Sequence, residues 1–204
     1  VVKGLKLLLE WDANFRVFIV PMKQNYREIP LLIKELYNLG CNKIRILALS
    51  PTGRAAKRWN ELSLKKEEKA WLSRKLIEIS REYDIDIRAG FCTRHEFPQL
   101  KPLKGHEFCA AGKTKCHIDA FGNLFPCTAS SGRPILSAGN LRDFDFNLEY
   151  LWNCAPIFEL LRYFYNNPPE PCNKCKKFPQ CNSGCRVMAL HIYGSLLSPK
   201  LDCK

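Results

Sequence analysis

Residues 171–185 read PCNKCKKFPQCNSGC and carry four cysteines in a short polar run. With one downstream and three upstream cysteines they form a series of eight: Cys109, Cys116, Cys127, Cys172, Cys175, Cys181, Cys185 and Cys203. Thiolates are soft ligands that suit iron–sulfur clusters and zinc, and a Cys-x2-Cys loop brings two sulfurs to one metal centre. Eight thiolates complete two four-ligand sites, so the pattern predicts that the C-terminal half binds metal.

Three further cysteines, Cys41, Cys92 and Cys154, lie outside this series and are interpreted as core or incidental thiols. The opening residues, Val1-Val2-Lys3-Gly4, do not resemble a secretion signal. We therefore expect a cytoplasmic protein in which dense cysteine spacing serves metal binding. Structural zinc, disulfides and buried free thiols remain alternative interpretations of the spacing alone.

The chain has 32 Lys and Arg against 20 Asp and Glu, a formal charge of +12. Such an excess can indicate a nucleic-acid partner, but no five consecutive residues are all basic. We interpret it as a solvated basic surface, so nucleic acid is not the partner that the sequence favours. No stretch approaches the roughly 20 apolar residues of a membrane span, and we expect no membrane partner.

The first half alternates apolar strands with amphipathic helices. We expect strands at 15–20, 43–49 and 85–89, with helices that begin at Asn25 and Ser63 and end near Gly40 and Tyr83. Glu28, three residues after Asn25, would complete a capping box. Helices of this length between apolar strands predict an α/β fold with right-handed crossovers and a parallel sheet.

The periodicity stops between Phe91 and Gly105, where His95, Pro98 and Pro102 indicate a linker. Beyond it, Gly122-Asn123 between two short apolar runs predicts a hairpin. Residues 148–165 are expected to be helical with a break at Pro156. We divide the chain into an α/β part at 1–92, a linker at 93–107 and a small cysteine-rich α+β domain at 108–204.

The C-terminal residues resemble a known family, the SPASM domain, which is the auxiliary-cluster extension of radical S-adenosylmethionine (SAM) enzymes. The resemblance rests on Cys109-Ala110-Ala111-Gly112, Cys116-His117-Ile118, Gly122, Pro126-Cys127, Gly139-Asn140-Leu141, Trp152 and the five-cysteine run that ends at Asp202-Cys203. One departure is Asn182-Ser183-Gly184, where the family often has paired glycines. Because Ser183 is small, we expect the turn to survive.

The resemblance implies two auxiliary [4Fe-4S] clusters whose ligands interleave along the chain. Carried over by position, Cys109, Cys116, Cys127 and Cys185 would hold the first cluster. Cys172, Cys175, Cys181 and Cys203 would hold the second. Many family members lack a cysteine at the position of Cys116 and keep an open iron there. With Cys116 bound, the first cluster would be fully ligated. It would then be suited to electron transfer rather than to direct binding of substrate.

Residues 1–92 resemble the later βα units of the partial (βα)6 barrel of radical SAM enzymes, most distinctively at Pro51-Thr52-Gly53-Arg54-Ala55. Ligands of such barrels bind at the C-terminal ends of the strands. The residues expected there, as contacts to SAM or substrate, are Gln24, Asn25, Ser50, Thr52 and Arg54. The alternatives are that Asn25 only caps its helix and that Pro51-Thr52-Gly53 only makes a turn.

Radical SAM chemistry begins at a Cys-x3-Cys-x2-Cys loop, and the given residues lack this spacing because Met188 follows Cys181-x3-Cys185. We therefore expect a fragment, a truncated product or one part of a split enzyme, inactive alone. SAM and a third [4Fe-4S] cluster would belong to the missing N-terminal part.

The implied function is that of an oxidoreductase or maturase acting by radical chemistry. Its substrate would be a peptide or protein, or a cofactor precursor, and a low-potential electron donor would be its partner. The alternatives are a non-catalytic iron–sulfur electron-transfer or docking protein and a zinc-binding nucleic-acid module.

Overall fold

The computed structural model describes residues 1–94, 96–105, 109–176, 178–181 and 183–198. The chain divides into two compact units. The first comprises Val1–Leu49 and Lys57–Glu107, and the second comprises Ser50–Ala56 and Phe108–Lys204.

The first unit is built on a parallel sheet of four strands in the order β1-β2-β3-β4. The strands are β1 (Val17–Ile19), β2 (Lys43–Ile46), β3 (Asp86–Ala89) and β4 (Lys101–Pro102). The helices are α1 (Val2–Glu10), α2 (Ile29–Asn38), α3 (Arg54–Lys57), α4 (Trp59–Leu62), α5 (Lys66–Glu82) and α6 (Phe91–Arg94), with α3 at a boundary between the two units in sequence. The predicted α/β class with a parallel sheet is confirmed.

One face of this sheet carries the core. Ile44 on β2 lies opposite Val17 on β1 and Ile87 on β3, so the apolar residues of neighbouring strands share one side. The inner faces of α2 and α5 pack onto that side through Ile33 and Leu72, which are fully buried. Hydrophobic burial on this face therefore fixes the register of the strands.

Two helix starts differ from the prediction. The N-cap of α2 is Glu28 rather than Asn25, and the predicted capping box is not formed. Pro30 lies in the first turn, the position where its missing N–H costs least, and so fixes the start of the helix. The N-cap of α5 is Lys65 rather than Ser63, and its backbone N–H donates to the Glu68 carboxylate at 2.7 Å.

The segment 93–107, predicted to be a linker, is partly regular. It contains the end of α6 and the short strand β4, which pairs in parallel with β3. The physical reason is apolar packing, since Phe97 and Leu100 are buried in the core of the first unit.

The second unit contains a three-stranded antiparallel sheet in the order β5-β6-β7 and short helices. The elements are β5 (His117–Ile118), β6 (Asn123–Phe125), β7 (Gly139–Asn140), α7 (Leu148–Cys154), α8 (Pro156–Asn166), α9 (Phe178–Cys181) and α10 (Arg186–Tyr193). The predicted hairpin and the break at Pro156 are both confirmed. No helix in the described ranges is long and apolar enough to cross a membrane.

The hairpin turn requires a glycine at position 122. Gly122 has a φ of 88°, in the left-handed region, and a Cβ there would lie 2.6 Å from the Arg142 side chain. Asp119 fixes the same turn by accepting hydrogen bonds from the N–H groups of Phe121 and Asn123, both at 2.9 Å.

A charged cluster ties the strands of the first unit together. Asp86 accepts from Arg16 at 2.9 Å and from Arg88 at 2.6 Å, and all three side chains are half-buried. Burial alone would raise the pKa of the Asp86 carboxyl, but the hydrogen bonds and charges of the two arginines outweigh it and lower that pKa.

This lowered pKa predicts a specific acid sensitivity. A carboxyl whose pKa is depressed by folding stabilises the protein above its unfolded pKa of about 3.9, and this stabilisation is lost as pH falls through the lower folded value. We expect wild type to be more stable than D86N at pH 6, and the difference to shrink towards pH 2.5. Urea midpoints at both pH values measure it. A D86N difference that does not shrink would contradict the assignment.

Candidate metal centre

The cysteines of the second unit lie at the ends of short elements, where backbone turns present their side chains. Cys116 directly precedes β5, Cys127 is the N-cap of the 3-10 turn Thr128–Ser130, and Cys185 is the N-cap of α10. Cys172 opens the 3-10 turn Cys172–Lys174, which ends at Cys175. Cys203 lies outside the described residues.

A chain of backbone hydrogen bonds orders the segment around the later cysteines. The carbonyl of Cys172 accepts from Cys175 N at 3.1 Å, and that of Cys175 accepts from Phe178 N at 2.9 Å. The carbonyl of Cys181 accepts from Gly184 N at 2.9 Å, and that of Cys185 accepts from Ala189 N at 3.0 Å. Each cysteine is thus held at a turn by its own backbone.

Ser183 and Gly184 form a turn before Cys185, as expected, and Asn182 of the same predicted turn lies outside the described residues. Ser183 adopts a left-handed conformation with a φ of 56°, which is uncommon for a residue with a Cβ. It is 4% exposed, and its hydroxyl has no hydrogen-bond partner in the described part of the chain.

Three thiols that are distant in sequence act on one another. Burial raises the pKa of Cys109, and the charges of Cys185 and Cys127 raise it further, against lowering hydrogen bonds from Tyr165 and Ala111. Burial likewise raises the pKa of Cys127. The Ser130 hydroxyl, which lies 3.6 Å from the Cys127 sulfur, lowers this pKa, and the charge of Cys185 raises it. The structure therefore brings Cys109, Cys127 and Cys185 into one electrostatic neighbourhood.

Tyr165 lies within electrostatic range of the same three thiols. Its hydroxyl donates to Ala111 O at 2.9 Å, and the Lys113 ammonium lies 3.7 Å from the centre of its ring. Burial raises the pKa of Tyr165, and the nearby thiols of Cys109, Cys127 and Cys185 raise it further. The phenol therefore stays protonated, and it donates its single O–H to Ala111 O beside the thiols.

Apolar packing separates the surroundings of Cys116 from those of two of these thiols. Cys127 and Cys185 pack against a core formed by Leu136, Ile157 and Val187. Cys116 packs against a different core: Leu124, Leu141, Leu151, Ala155 and Phe158.

Two thiols of the second predicted ligand set, Cys172 and Cys181, lie within electrostatic range of a buried cation, Arg186. Cys172 is buried, Cys181 is half-buried and Cys175 is exposed. Burial lowers the pKa of Arg186, while the charges of Cys172, Cys185, Cys181 and Cys109 raise it, in that order of size. The guanidinium of Arg186 is thus within electrostatic range of thiols from both predicted ligand sets.

In the described ranges, no three His, Cys, Asp or Glu side chains converge closely enough to hold a metal ion. The chemistry of the site nevertheless fits a thiolate-bound anionic group. The donors are soft thiols, which iron–sulfur clusters use. A buried guanidinium nitrogen, Arg186 Nε, has no hydrogen-bond partner in the part of the chain that is described, and a negative group nearby would compensate its charge.

The residues predicted to contact SAM or substrate divide between the two units. Gln24 and Asn25 follow β1 in the first unit, where Gln24 is exposed. Asn25 accepts from Met22 N at 2.7 Å and donates to Val20 O at 3.1 Å, so its side chain holds the turn after β1.

Ser50, Thr52 and Arg54 follow β2 in sequence but cluster with the second unit. Thr52 N donates to Ser50 O at 2.8 Å, and Arg54 is exposed. Arg133 secures this segment by donating to Pro51 O at 2.9 Å and to His191 Nδ1 at 2.8 Å.

Sequence reasoning missed Tyr165, Arg186 and Arg45. Arg45 lies on β2 with its guanidinium 5.4 Å from the Phe18 ring, and a Cβ at Gly90 would lie 2.6 Å from its Nη2. The only signal was for Arg186, which directly follows a predicted ligand. Nothing in the sequence distinguishes Tyr165 and Arg45, which are half-buried, from the many solvated polar side chains.

The sequence profile of the SPASM family, described as an iron–sulfur cluster-binding domain, matches residues 109–176. Mycofactocin maturase MftC of Mycobacterium ulcerans (strain Agy99) is 28% identical over 173 residues, covering 78% of this chain and 42% of that protein. PqqA peptide cyclase of Gluconobacter oxydans (strain 621H) is 24% identical over 186 residues, covering 89% of this chain and 48% of that protein. The chain thus spans about half the length of these curated relatives.

Two solved structures share the fold. Streptococcus suis SuiB bound to the precursor peptide SuiA superposes with a TM-score of 0.70 and 19% identity, covering 98% of this chain and 47% of that one. Histidine-tagged anSMEcpe with bound AdoMet has a TM-score of 0.67 and 18% identity, covering 97% and 52% of the respective chains. At these identities the likeness concerns the fold alone.

Proposed function

We propose that this chain is the C-terminal portion of a radical SAM enzyme with a SPASM domain, and that it carries two auxiliary [4Fe-4S] clusters that support radical modification of a peptide. Residues 1–92 would be the later part of the partial barrel and 108–204 the cluster-binding domain. The segment 93–107 between them adds β4 to the sheet of the first unit. A cofactor precursor remains the alternative substrate.

The observation that carries this proposal is the neighbourhood of Cys109, Cys127 and Cys185. Cys185 is much closer in sequence to Cys181 than to Cys127, yet its charge acts on both upstream thiols. This supports an interleaved ligand set in which Cys185 joins Cys109 and Cys127 in the first cluster. Cys116 is assigned to that cluster from the family resemblance, and it packs against a different core. Cys172, Cys175, Cys181 and Cys203 would hold the second.

Bound clusters would supply one-electron transfer to or from a substrate radical, with a low-potential electron donor as the outside partner. The residues of the chain set the conditions for that transfer. The Ser130 hydroxyl contacts the Cys127 sulfur, and Tyr165 lies beside Cys109. Such contacts to ligating sulfurs tune reduction potential.

A peptide substrate is favoured by the names of the proteins that this chain resembles. MftC is named a maturase, PqqA cyclase is named for a peptide, and SuiB was solved with a precursor peptide. We extend this substrate class to the protein that contains this chain. Gln24, Asn25, Ser50, Thr52 and Arg54 are the proposed contacts to SAM or substrate.

The test uses the complete protein encoded with this chain, or the chain together with a partner subunit that carries Cys-x3-Cys-x2-Cys. Purified anaerobically and reduced with dithionite, it should cleave SAM to 5′-deoxyadenosine and modify a peptide encoded nearby. If neither the same reading frame nor a neighbouring gene encodes that motif, the enzyme proposal fails. An electron-transfer or docking role would then take its place.

A further inference from the structure

Arg186 is the first residue of α10 and directly follows Cys185, yet its side chain turns into the interior and is 5% exposed. Arginine side chains are rarely buried unless a partner compensates their charge. The burial of this guanidinium therefore requires a group that compensates its charge.

In the described part of the chain, the acceptors that hold the guanidinium are neutral carbonyl oxygens. Nη1 donates to Leu196 O at 2.8 Å and to Ser198 O at 3.0 Å, and Nη2 donates to Ser183 O. Nε is buried without a partner, and no carboxylate in the described ranges forms an ion pair with Arg186. Carbonyl oxygens satisfy hydrogen bonds but do not neutralise a full charge.

A buried charge without a compensating partner is costly. Four thiols lie within electrostatic range of this guanidinium: Cys172 and Cys181 from the second predicted ligand set, and Cys185 and Cys109 from the first. As protonated thiols they would leave the cation uncompensated. As ligands of anionic clusters they would compensate it.

We propose that Arg186 is a positioning residue that supplies one fixed positive charge to both clusters and raises their reduction potentials. This inference rests on the proposed function, since it requires the clusters to be present. The one-electron reduction of a cluster adds one negative charge. A cation held nearby in a medium of low dielectric constant stabilises that reduced form.

A purely structural role is the competing explanation. Arg186 joins the residues on both sides of α10 through the carbonyls of Ser183 and Leu196, and so could act only as a clamp. A structural role of Arg186 depends on the geometry of its hydrogen bonds, whereas charge compensation of the clusters depends on its positive charge. R186Q removes the charge and keeps donors, while R186K keeps the charge and loses the planar fork.

The experiment is an anaerobic redox titration of the reconstituted full chain, with dithionite as reductant and mediators, followed by electron paramagnetic resonance. Iron and sulfide are counted in every variant. The matched control is R162Q: Arg162 also donates to two backbone carbonyls, those of Gly112 and Trp152, and contacts the Trp152 and Phe158 rings.

We expect R186Q to lower the midpoint potentials of both clusters relative to wild type and R162Q, and R186K to restore them towards wild type. If R186Q fails to assemble clusters while R186K assembles them with wild-type potentials, charge compensation is equally supported. Wild-type potentials in a fully loaded R186Q, or equal defects in both variants, would overturn the inference. Absence of iron and sulfide from the wild-type chain would instead overturn the proposed function.

Discussion

Replacing Cys185 by alanine should remove the cluster built by Cys109 and Cys127 and leave the one built by Cys172 and Cys175. The reason is that the Cys185 charge acts on both upstream thiols although a long stretch of sequence separates them. The iron content should fall from about eight to about four per chain, and the sulfide content with it. Iron and sulfide analysis after anaerobic reconstitution measures both.

Pairs of substitutions distinguish the interleaved arrangement from grouping by sequence. C185A combined with C127A should lose no more iron than C185A alone, because both would belong to one site. C185A combined with C175A should lose nearly all of it. The control C154A changes an exposed thiol outside both sets and should keep full iron. If C185A with C127A lost nearly all of the iron and C185A with C175A lost no more than C185A alone, Cys185 would belong to the cluster of Cys172 and Cys175.

Replacing Phe158 by alanine should be the most destabilising single change in the core of the second unit. Phe158 is fully buried, its ring centre lies 4.9 Å from that of Trp152, and its edge would lie 3.3 Å from a Cβ at Gly112. Truncation of a buried phenylalanine typically lowers the free energy of unfolding by about 3–5 kcal/mol through lost burial and a residual cavity.

The matched control is F144A in the same unit, because Phe144 is 37% exposed and stacks on Tyr150 with ring centres 5.7 Å apart. Its loss should cost about 1 kcal/mol. Amide hydrogen exchange in α7 and α8 measures the local change without assuming a single transition for both units. Equal protection in the two variants would contradict the assignment of Phe158 to the core.

The sequence predicted the elements whose signals are local. Alternating apolar strands and helices indicated the parallel sheet, Gly122-Asn123 indicated the hairpin, and Pro156 indicated the helix break. Asn25 is a residue for which local reasoning was wrong. Its side chain could equally cap a helix or hold a turn, and Pro30 decided where the helix begins.

The site required information that periodicity does not contain. The spacing of the cysteines predicted metal, but the pairing of Cys185 with the upstream set came from a family resemblance. Arg186 resembles a surface arginine in sequence. Its burial depends on the left-handed turn at Ser183 and on carbonyls contributed after α10, which only the folded chain brings together.

The central claim is that the cysteines hold two four-iron clusters. The most direct measurement is iron, sulfide and zinc analysis of the anaerobically purified protein, combined with its visible absorption spectrum. We predict about eight irons and eight sulfides bound by this chain, with a broad absorption near about 400 nm. If the protein is the complete enzyme, a third cluster would add about four of each. Stoichiometric zinc without sulfide would contradict the claim.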